Sequence, residues 1–562
     1  MQTQIIPNGC LPADGTDASA ILSNLIAEAS DGTELRLPAG RFFLGKAVLI
    51  TGKKQLTICG NDTLLVTHAT PWNDPGEANS AFICSNCDDL TIQQLRFTTD
   101  NPVNCAGRVT AIDHANHTYD VRIDDAFPIT GWEHFWGTDT CDEDGMPDYV
   151  IETYDTITRE ILPDTDGSLR EKITGTRYEV LDGQNIRVFG QNTARLTVGH
   201  RVLYRYTIYG GTVFSITDCN RITMRDIEIE RCPGMGVVIG PRCTDAIFER
   251  FNIRIPAGSH ALYAANADGI HITGLSGLLH MKDCHFDGLG DDALNIHSIA
   301  GEIKSIGENG RLSVVSRPLL KEERPMGEKW ARKGDFIRVY DRHTVLETGS
   351  FRVAEYTDSD ILVEDVQGSF AEGSIVVNDS FFAAVHLEDC TVHNTRARGI
   401  LLQSRNMLIE RCTFSGLALP GLIIAPDVQY WYEAGPSENT EIRDCVFEKC
   451  GMNGAAANLG AIVVKGSHDA GASDYPAGVH KDIRILNNTF RNIGTSGVFI
   501  SATSGVSVQG NCFEGCQTNT NQNVCDTDAE IVLCNCEKIR IAGNRGADAI
   551  VVKSGNAQSA KN

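Results

Sequence analysis

The chain has 562 residues, 42% of them hydrophobic, and a formal charge of −24. That length holds several domains or one long repetitive one. The acidic balance would repel nucleic acid and strongly anionic polymers, which excludes both as partners and leaves neutral sugars compatible. No run approaches the roughly 18 apolar residues needed to cross a bilayer, so no membrane span is expected.

The opening "MQTQIIPNGC" lacks a basic segment followed by an apolar one, so no signal peptide is visible. Residues 14–32, "DGTDASAILSNLIAEASDG", read as an amphipathic helix with Thr16 or Asp17 as N-cap and Gly32 after its end. "GTELRLPAGRFFLGKAVLI" (32–50) then reads as the first strands. Such a helix covers the open, apolar end of a stacked fold.

Further along, one phrase recurs: "MKDCHFDG" (281–288), "LEDCTVHN" (387–394), "IERCTFSG" (409–416), "IRDCVFEK" (442–449) and "VQGNCFEG" (508–515). Asn488 and Ile227 take the cysteine slot in two related segments. Cys284, Cys390, Cys412, Cys445 and Cys512 are thereby expected in one register, as an interior ladder of small buried thiols. The 19 cysteines are read in this way and not as zinc knuckles or a disulfide framework.

A second phrase follows each of these. Its members are "MGVVIG" (235–240), "DGIHIT" (268–273), "DALNIHS" (292–298), "RGILLQS" (398–404), "PGLIIAP" (420–426), "LGAIVVK" (459–465) and "SGVFIS" (496–501). Alternation along a strand puts Val237/Ile239, Ile270/Ile272, Leu294/Ile296, Ile400/Leu402, Leu422/Ile424, Ala461/Val463 and Val498/Ile500 on an inward face. The shortest spacings are 24 residues, Gly269 to Ala293, and 22 residues, Gly399 to Gly421. Short strands at that period, without long helices between them, indicate a parallel β-helix with coils about 4.8 Å apart.

Two intervals are much longer, and both carry alternating hairpin patterns. The expected architecture is an all-β, right-handed parallel β-helix with an N-terminal capping helix and two inserted antiparallel β-barrel-like modules. Residues 1–100 form the cap and first coils, and 101–208 the first insertion. Residues 209–299 form coils carrying a group of acids, 300–380 the second insertion, and 381–562 the C-terminal coils.

One residue before the aligned strands stand Asp268, Asp292 and Arg398, in successive coils, with Asp291 beside Asp292. Carboxylates this close do not all ionise easily, so one pKa is expected to rise. An acid that keeps its proton beside ionised partners is what glycoside hydrolysis uses: one group protonates the leaving oxygen while another activates water. Arg398 is a candidate to hold a sugar hydroxyl or keep its neighbours ionised, and His271, Asn295, His297 and Gln403, which share the outward face, are further candidate substrate-binding groups. So are Trp431 and Glu433, in "DVQYWYEAGPSE" (427–438), and Lys465, which ends its strand phrase. "GWEHFWG" (131–137) is a further candidate from the first insertion. Turn-capping aspartates and stacked aspartates that bind Ca²⁺ are the structural alternatives for the acids.

"NADGIH" (266–271) and "GDDALNI" (290–296) resemble the NTDG and GDD motifs of the β-helical polygalacturonases, with 23 residues separating Asp268 from Asp291. No SHG or RIK motif follows, and "RARGILLQS" is a partial echo only. The chain more closely resembles glycoside hydrolase family 110, the α-1,3-galactosidases that remove terminal galactose from blood-group B type structures. That resemblance spans most of the chain. It implies an exo-acting, inverting hydrolase that needs no metal or cofactor, with Asp291 as general acid and Asp268 and Asp292 as water-activating bases. The implied partners are terminal α-galactosyl glycans, and a homodimer is compatible with the exposed edges of a capped β-helix. The substrate implies a secreted or periplasmic location, with cytoplasmic residence as the alternative. The alternative functions are another β-helical hydrolase or lyase of polygalacturonase type, and a non-catalytic carbohydrate-binding solenoid.

Overall fold

A computed structural model of the chain describes residues 2–68, 80–100, 104–127, 148–156, 159–162, 169–172, 178–189, 193, 196–205, 209–307, 310–316, 323–326, 330–357, 360–428, 430–452, 459–467, 475–518 and 529–553. It is a parallel β-helix. On one face the strands pair in parallel, coil upon coil, through Val237, Ile270, Leu294, Ile400, Leu422, Ile462, Val498, Ile531 and Ile550. A second face stacks Val385, Met407, Thr440, Ile483, Val506 and Ile539. A third stacks Val392, Phe414, Phe447, Phe490 and Phe513. In this last column the rings lie face to face at 4.9, 5.3 and 4.8 Å between centroids.

The recurrent cysteine phrase marks the corner between the second and third faces. The residue before each slot adopts a left-handed conformation: Asp283 (φ 53°), Asp389 (φ 56°), Arg411 (φ 53°), Asp444 (φ 54°) and Asn487 (φ 57°). Asp and Asn tolerate that region better than most residues, which explains their frequency there. The slot side chain then bridges coils. Cys412 N–H donates to Cys445 Sγ at 3.4 Å, and Cys445 N–H to Asn488 Oδ1 at 2.9 Å. Asn488 N–H donates to Asn511 Oδ1 at 2.8 Å, and Asn511 N–H to Asn544 Oδ1 at 3.0 Å. The ladder therefore continues through Asn511, while Cys512 stands one residue later, level with Thr489. The expected placement of Cys512 was one residue out, because "GNC" offers two polar residues of similar size where "DC" offers one.

A second slip concerns residues 459–465. Ile462 and Val464, not Ala461 and Val463, lie level with Val498 and Ile500. Val463 points outward into a separate apolar cluster with Leu401, Ile423 and Phe499. The extra small residue in "LGA" hid the frame. The small second residue itself has a steric cause: a Cβ on Gly269 would lie 2.6 Å from the carbonyl oxygen of Ala293, and one on Gly399 would lie 2.3 Å from that of Gly421.

The capping helix runs Ser19–Glu28, shorter than the amphipathic stretch, and buries Leu22 and Ile26 in the main core. Asp17 stands ahead of it and accepts from Ser19 N–H at 2.9 Å and Gly45 N–H at 2.9 Å, tying helix to first coil. Among the described residues no helix is long and apolar enough to cross a membrane.

Both insertions are antiparallel. The strand Leu294–Ile306 leaves the coil and enters a closed ring with Arg311–Ser316, Asp360–Gly368, Glu347–Thr357, Phe336–Tyr340 and Ile375–Asn378. That barrel has its own core around Trp330, Phe351 and Ile361. The first insertion is a seven-stranded antiparallel sheet whose two edge strands, Leu169–Lys172 and Tyr178–Asp182, do not pair with each other among the described residues. Its core takes in Leu262, Tyr263 and Ala418 of the helix, so it packs directly on the acid-bearing coils.

The ladder gives a stability test. Asn511→Ala would orphan Asn488 N–H and Ile485 C=O, each bonded to the Asn511 side chain now. A loss of about 1–3 kcal/mol per orphaned group is expected in denaturant unfolding. Asn511→Cys should lose less, because thiols fill the same slot at Cys412 and Cys445. Equal losses in the two variants would remove the ladder as the cause.

Candidate active site

In-register stacking places the acids. Ile270 lies level with Leu294 and Ile400, so Asp268, Asp292 and Arg398 occupy one column at the mouth of three neighbouring strands. The backbone confirms the stacking: Gly269 N–H donates to Asp292 O at 2.8 Å and Ala293 N–H to Gly399 O at 2.9 Å. One oxygen from each of Asp268, Asp291 and Asp292 lies within 4.8 Å of the others.

Exposure separates the three. The side chain of Asp291 is 24% exposed, that of Asp268 6% and that of Asp292 1%. Arg398 donates from Nε to Asp292 Oδ1 at 2.8 Å, and its Nη2 lies 3.8 Å from Asp291 Oδ1. Arg396 reaches Asp291 Oδ2 at 3.6 Å and donates from Nε to Gly290 O at 2.6 Å. Burial pushes the Asp292 carboxyl up to about 7; Arg398 opposes the rise, and the charges of Asp291 and Asp268 add to it. Burial also raises Asp268, against its hydrogen bond with His271 and together with the charge of Asp291.

His271 and His297 continue the network along the outward face. His271 Nδ1 donates to Asp268 Oδ2 at 2.7 Å, and its Nε2 lies 3.2 Å from His297 Nε2. His297 Nδ1 lies 2.9 Å from its acceptor, Ser298 O. Burial alone would lower His271, but the hydrogen bond and charge of Asp268 outweigh it and bring the imidazole up to about 9. Burial keeps His297 below its usual range and therefore neutral. These assignments give one consistent pattern: a cationic His271 donating from both nitrogens, and a neutral His297 accepting at Nε2.

Glu433 arrives from a distant stretch. Its two-residue strand Glu433–Ala434 pairs antiparallel with Ser298 and Ile299. Asn295 Nδ2 donates to Glu433 Oε2 at 3.3 Å, and Glu433 Oε1 lies 3.7 Å from His297 Nε2. Burial works against its ionisation, and the charge of His271, the hydrogen bond from Asn295 and the charge of Arg398 act against burial, leaving it lowered. Gln403 falls in the column of His297, because Leu402 lies level with Ile296. Asp292 Oδ2, Asn295 Oδ1 and Gln403 Oε1 are buried and have no protein partner among the described residues. Polar atoms left so cost about 1–3 kcal/mol each, so the site is built for water or for a ligand bearing hydroxyls.

Two candidates stand apart. Trp431 is 47% exposed and packs edge-on against Tyr430 at 5.2 Å, two residues from Glu433. Lys465 is buried, and its neighbour on the preceding coil is Ala425, so it lies in the Gln403 column two coils further on. "GWEHFWG" lies outside the described residues.

Residues 373–545 match the family described as "Right handed beta helix region". The Alpha-1,3-galactosidase A of Shewanella woodyi is 23% identical over 536 residues, 90% of this chain and 84% of that protein. The Alpha-1,3-galactosidase B of Bacteroides thetaiotaomicron is 22% identical over 531 residues, 89% of this chain and 80% of that protein. The Alpha-1,3-galactosidase A of Bacteroides fragilis is 27% identical over 342 residues, 58% of this chain and 54% of that protein. By sequence the chain is a relative of the α-1,3-galactosidases.

Three site residues escaped the sequence reading. Arg396 was recoverable, since "RAR" puts two arginines on one side of an extended segment. Arg205, from the first insertion, donates to Asn266 O at 3.0 Å behind the acids. Tyr209 follows it closely, and burial with the charges of Asp291 and Asp268 raises its phenol, so it stays a hydrogen-bond donor. Neither carried a local signal, because only the packing of the insertion brings them in.

Arg398→Gln tests the electrostatics. It removes the guanidinium that lowers the Asp292 carboxyl, whose folded value then rises further above its unfolded one. A raised carboxyl contributes stability fully present below about pH 4 and lost as pH rises through its folded value. Parent and variant lose this contribution together up to about pH 7 and only the variant goes on losing it above, so the variant's deficit in denaturant midpoint should grow between pH 7 and pH 9. A deficit independent of pH would contradict the arrangement.

Proposed function

We propose that the chain is a glycoside hydrolase, an exo-acting α-1,3-galactosidase that removes terminal α-linked galactose from blood-group B type or related glycans. The observation that carries the reading is the Asp268, Asp291 and Asp292 cluster, which retains a proton to about pH 7 beside two arginines and three orphaned polar acceptors. The names of the relatives support the sugar and the linkage. The non-repeating segments add groups beside the trio: Arg205 donates to Asn266 O at 3.0 Å, and the Glu433 strand pairs with Ser298 and Ile299. Crowding of that kind suits a chain end better than a long polymer.

In this reading Asp268 and Asp292 titrate together, and burial holds a proton on Asp292. Its transfer within the cluster to Asp291, the most exposed member, arms the acid. Asp291 then protonates the glycosidic oxygen as the bond from the anomeric carbon breaks. Asp268 and Asp292, now ionised, take the proton of the attacking water. The hydrogen bond from His271 opposes the burial that raises Asp268 and so favours its ionised form. Arg398 already offsets the charge that a bound Ca²⁺ would need, which favours acid–base work over cation binding by the trio.

The family resemblance implies inversion.

The test is galactose release from an α-1,3-galactosyl oligosaccharide carrying an α-1,2-fucose branch. Asp268→Asn, Asp291→Asn and Asp292→Asn should each lower kcat/KM by about 10²–10⁴-fold in protein that still unfolds cooperatively. Full activity in Asp291→Asn would remove its role as acid, and an unsaturated product absorbing in the ultraviolet would indicate a lyase. The parent's rate should fall as pH rises through about 7, where the cluster loses its proton. A rate still rising at pH 9 would contradict the retained proton.

A further inference from the structure

We propose that His271, His297 and Glu433 form a binding site for a divalent transition-metal cation of the Zn²⁺ type, and that its occupancy switches the glycan site off by blocking it. The first half stands on the geometry alone; the second rests on the glycosidase reading.

The three donor atoms lie within 4.8 Å of one another. The two Nε2 atoms are 3.2 Å apart, and Glu433 Oε1 is 3.7 Å from the nearer of them. Imidazole nitrogens bound to Zn²⁺ at about 2.0–2.1 Å in tetrahedral geometry stand about 3.4 Å apart, so the pair already has the bite of a metal site. Two His and one carboxylate also leave a coordination position open, as in catalytic-type zinc sites.

The orientation of the ligands is the second observation. A ligating histidine donates its other ring N–H to a carboxylate or a backbone carbonyl, which fixes the tautomer. Both histidines do this here: His271 Nδ1 faces Asp268 Oδ2 at 2.7 Å, and His297 Nδ1 faces Ser298 O at 2.9 Å. Glu433 is held in turn by Asn295 Nδ2 at 3.3 Å. Both Nε2 atoms are therefore the ring nitrogens left to ligate, and they already face each other at 3.2 Å. A proton bridges them without metal; a cation would displace that proton to solvent and form two metal–nitrogen bonds and one metal–oxygen bond in its place.

Two other clusters lack this freedom. His280, His386 and Glu388 also come together, on the outside of the helix, but Glu388 already pairs with Lys282 at 3.3 Å and Arg411 at 2.7 Å. The aspartate trio is paired with Arg398. A cation at His271 would sit one imidazole away from Asp268. It would take up His271, His297 and Glu433, groups proposed to bind the sugar, and so shut the glycan out.

The test is titration of the metal-free full chain with Co²⁺, followed by its d–d absorption. Saturable binding is expected. His297→Gln and Glu433→Gln should weaken it by at least about tenfold, and Asp268→Asn, which removes the partner of His271, by about 10–100-fold. His386→Gln on the outer face should leave it unchanged. Unfolding midpoints identify any variant that fails to fold, and Glu433→Gln, the most conservative, carries the test if His297→Gln does. No saturable binding, binding unchanged in His297→Gln and Glu433→Gln, or binding lost in His386→Gln would each overturn the site. For the second half, Zn²⁺ should abolish galactose release and EDTA restore it. Release unaffected by saturating Zn²⁺ would overturn the switch while leaving the site, and absence of galactosidase activity with intact Co²⁺ binding would overturn the glycosidase reading alone.

Discussion

Residue-over-residue stacking of parallel coils, about 4.8 Å apart, is the constraint on which everything else here depends. It turns one-dimensional spacing into a column, so aspartates 24 residues apart become neighbours. The same rule that packs apolar side chains inward forces like charges together on the outer face. The rise of the Asp292 carboxyl from 3.8 to about 7 corresponds to roughly 4 kcal/mol. Burial leads that rise, and two unit charges one coil apart at an effective dielectric of 20 would themselves repel by about 3–4 kcal/mol. The fold tolerates this because Arg398 arrives in the same column one coil later, and because a protonated carboxyl is cheaper to bury than an ionised one.

The parallel coils and the acid column were legible in the sequence because stacking preserves period. A repeat of small residue, apolar, any, apolar leaves little freedom in the frame, and Asp268, Asp292 and Arg398 follow from counting. The two slips have one cause. At Cys512 and at Ala461/Val463 an extra small residue beside the landmark shifts the phrase by one, and a one-residue shift exchanges inward and outward faces. Backbone conformation sets the frame at these corners through the left-handed residue before the slot. That constraint shows in the sequence only as a preference for Asp, Asn or Gly.

What the insertions add was less legible, because it is not periodic. The long interval between Ala293 and Gly399 could be read as a module, but its closure into a barrel depends on pairings of high sequence separation. Glu433 was within reach because its stretch interrupts the coil period. Arg205 and Tyr209 were not, since their role follows from how the first insertion packs against Leu262 and Tyr263. The β-helix thus supplies the acid column, and the non-repeating segments bring Arg205, Tyr209 and Glu433 beside it.

The central claim is that the three stacked aspartates divide acid and base roles in one hydrolytic step at a chain end. It is tested most directly by the anomeric proton signal of galactose in the first moments of hydrolysis of the branched α-1,3-galactosyl oligosaccharide. The account predicts β-galactose first, with the α anomer appearing only by mutarotation. α-Galactose appearing first would show that one of the aspartates attacks the sugar, and would contradict the paired-base arrangement.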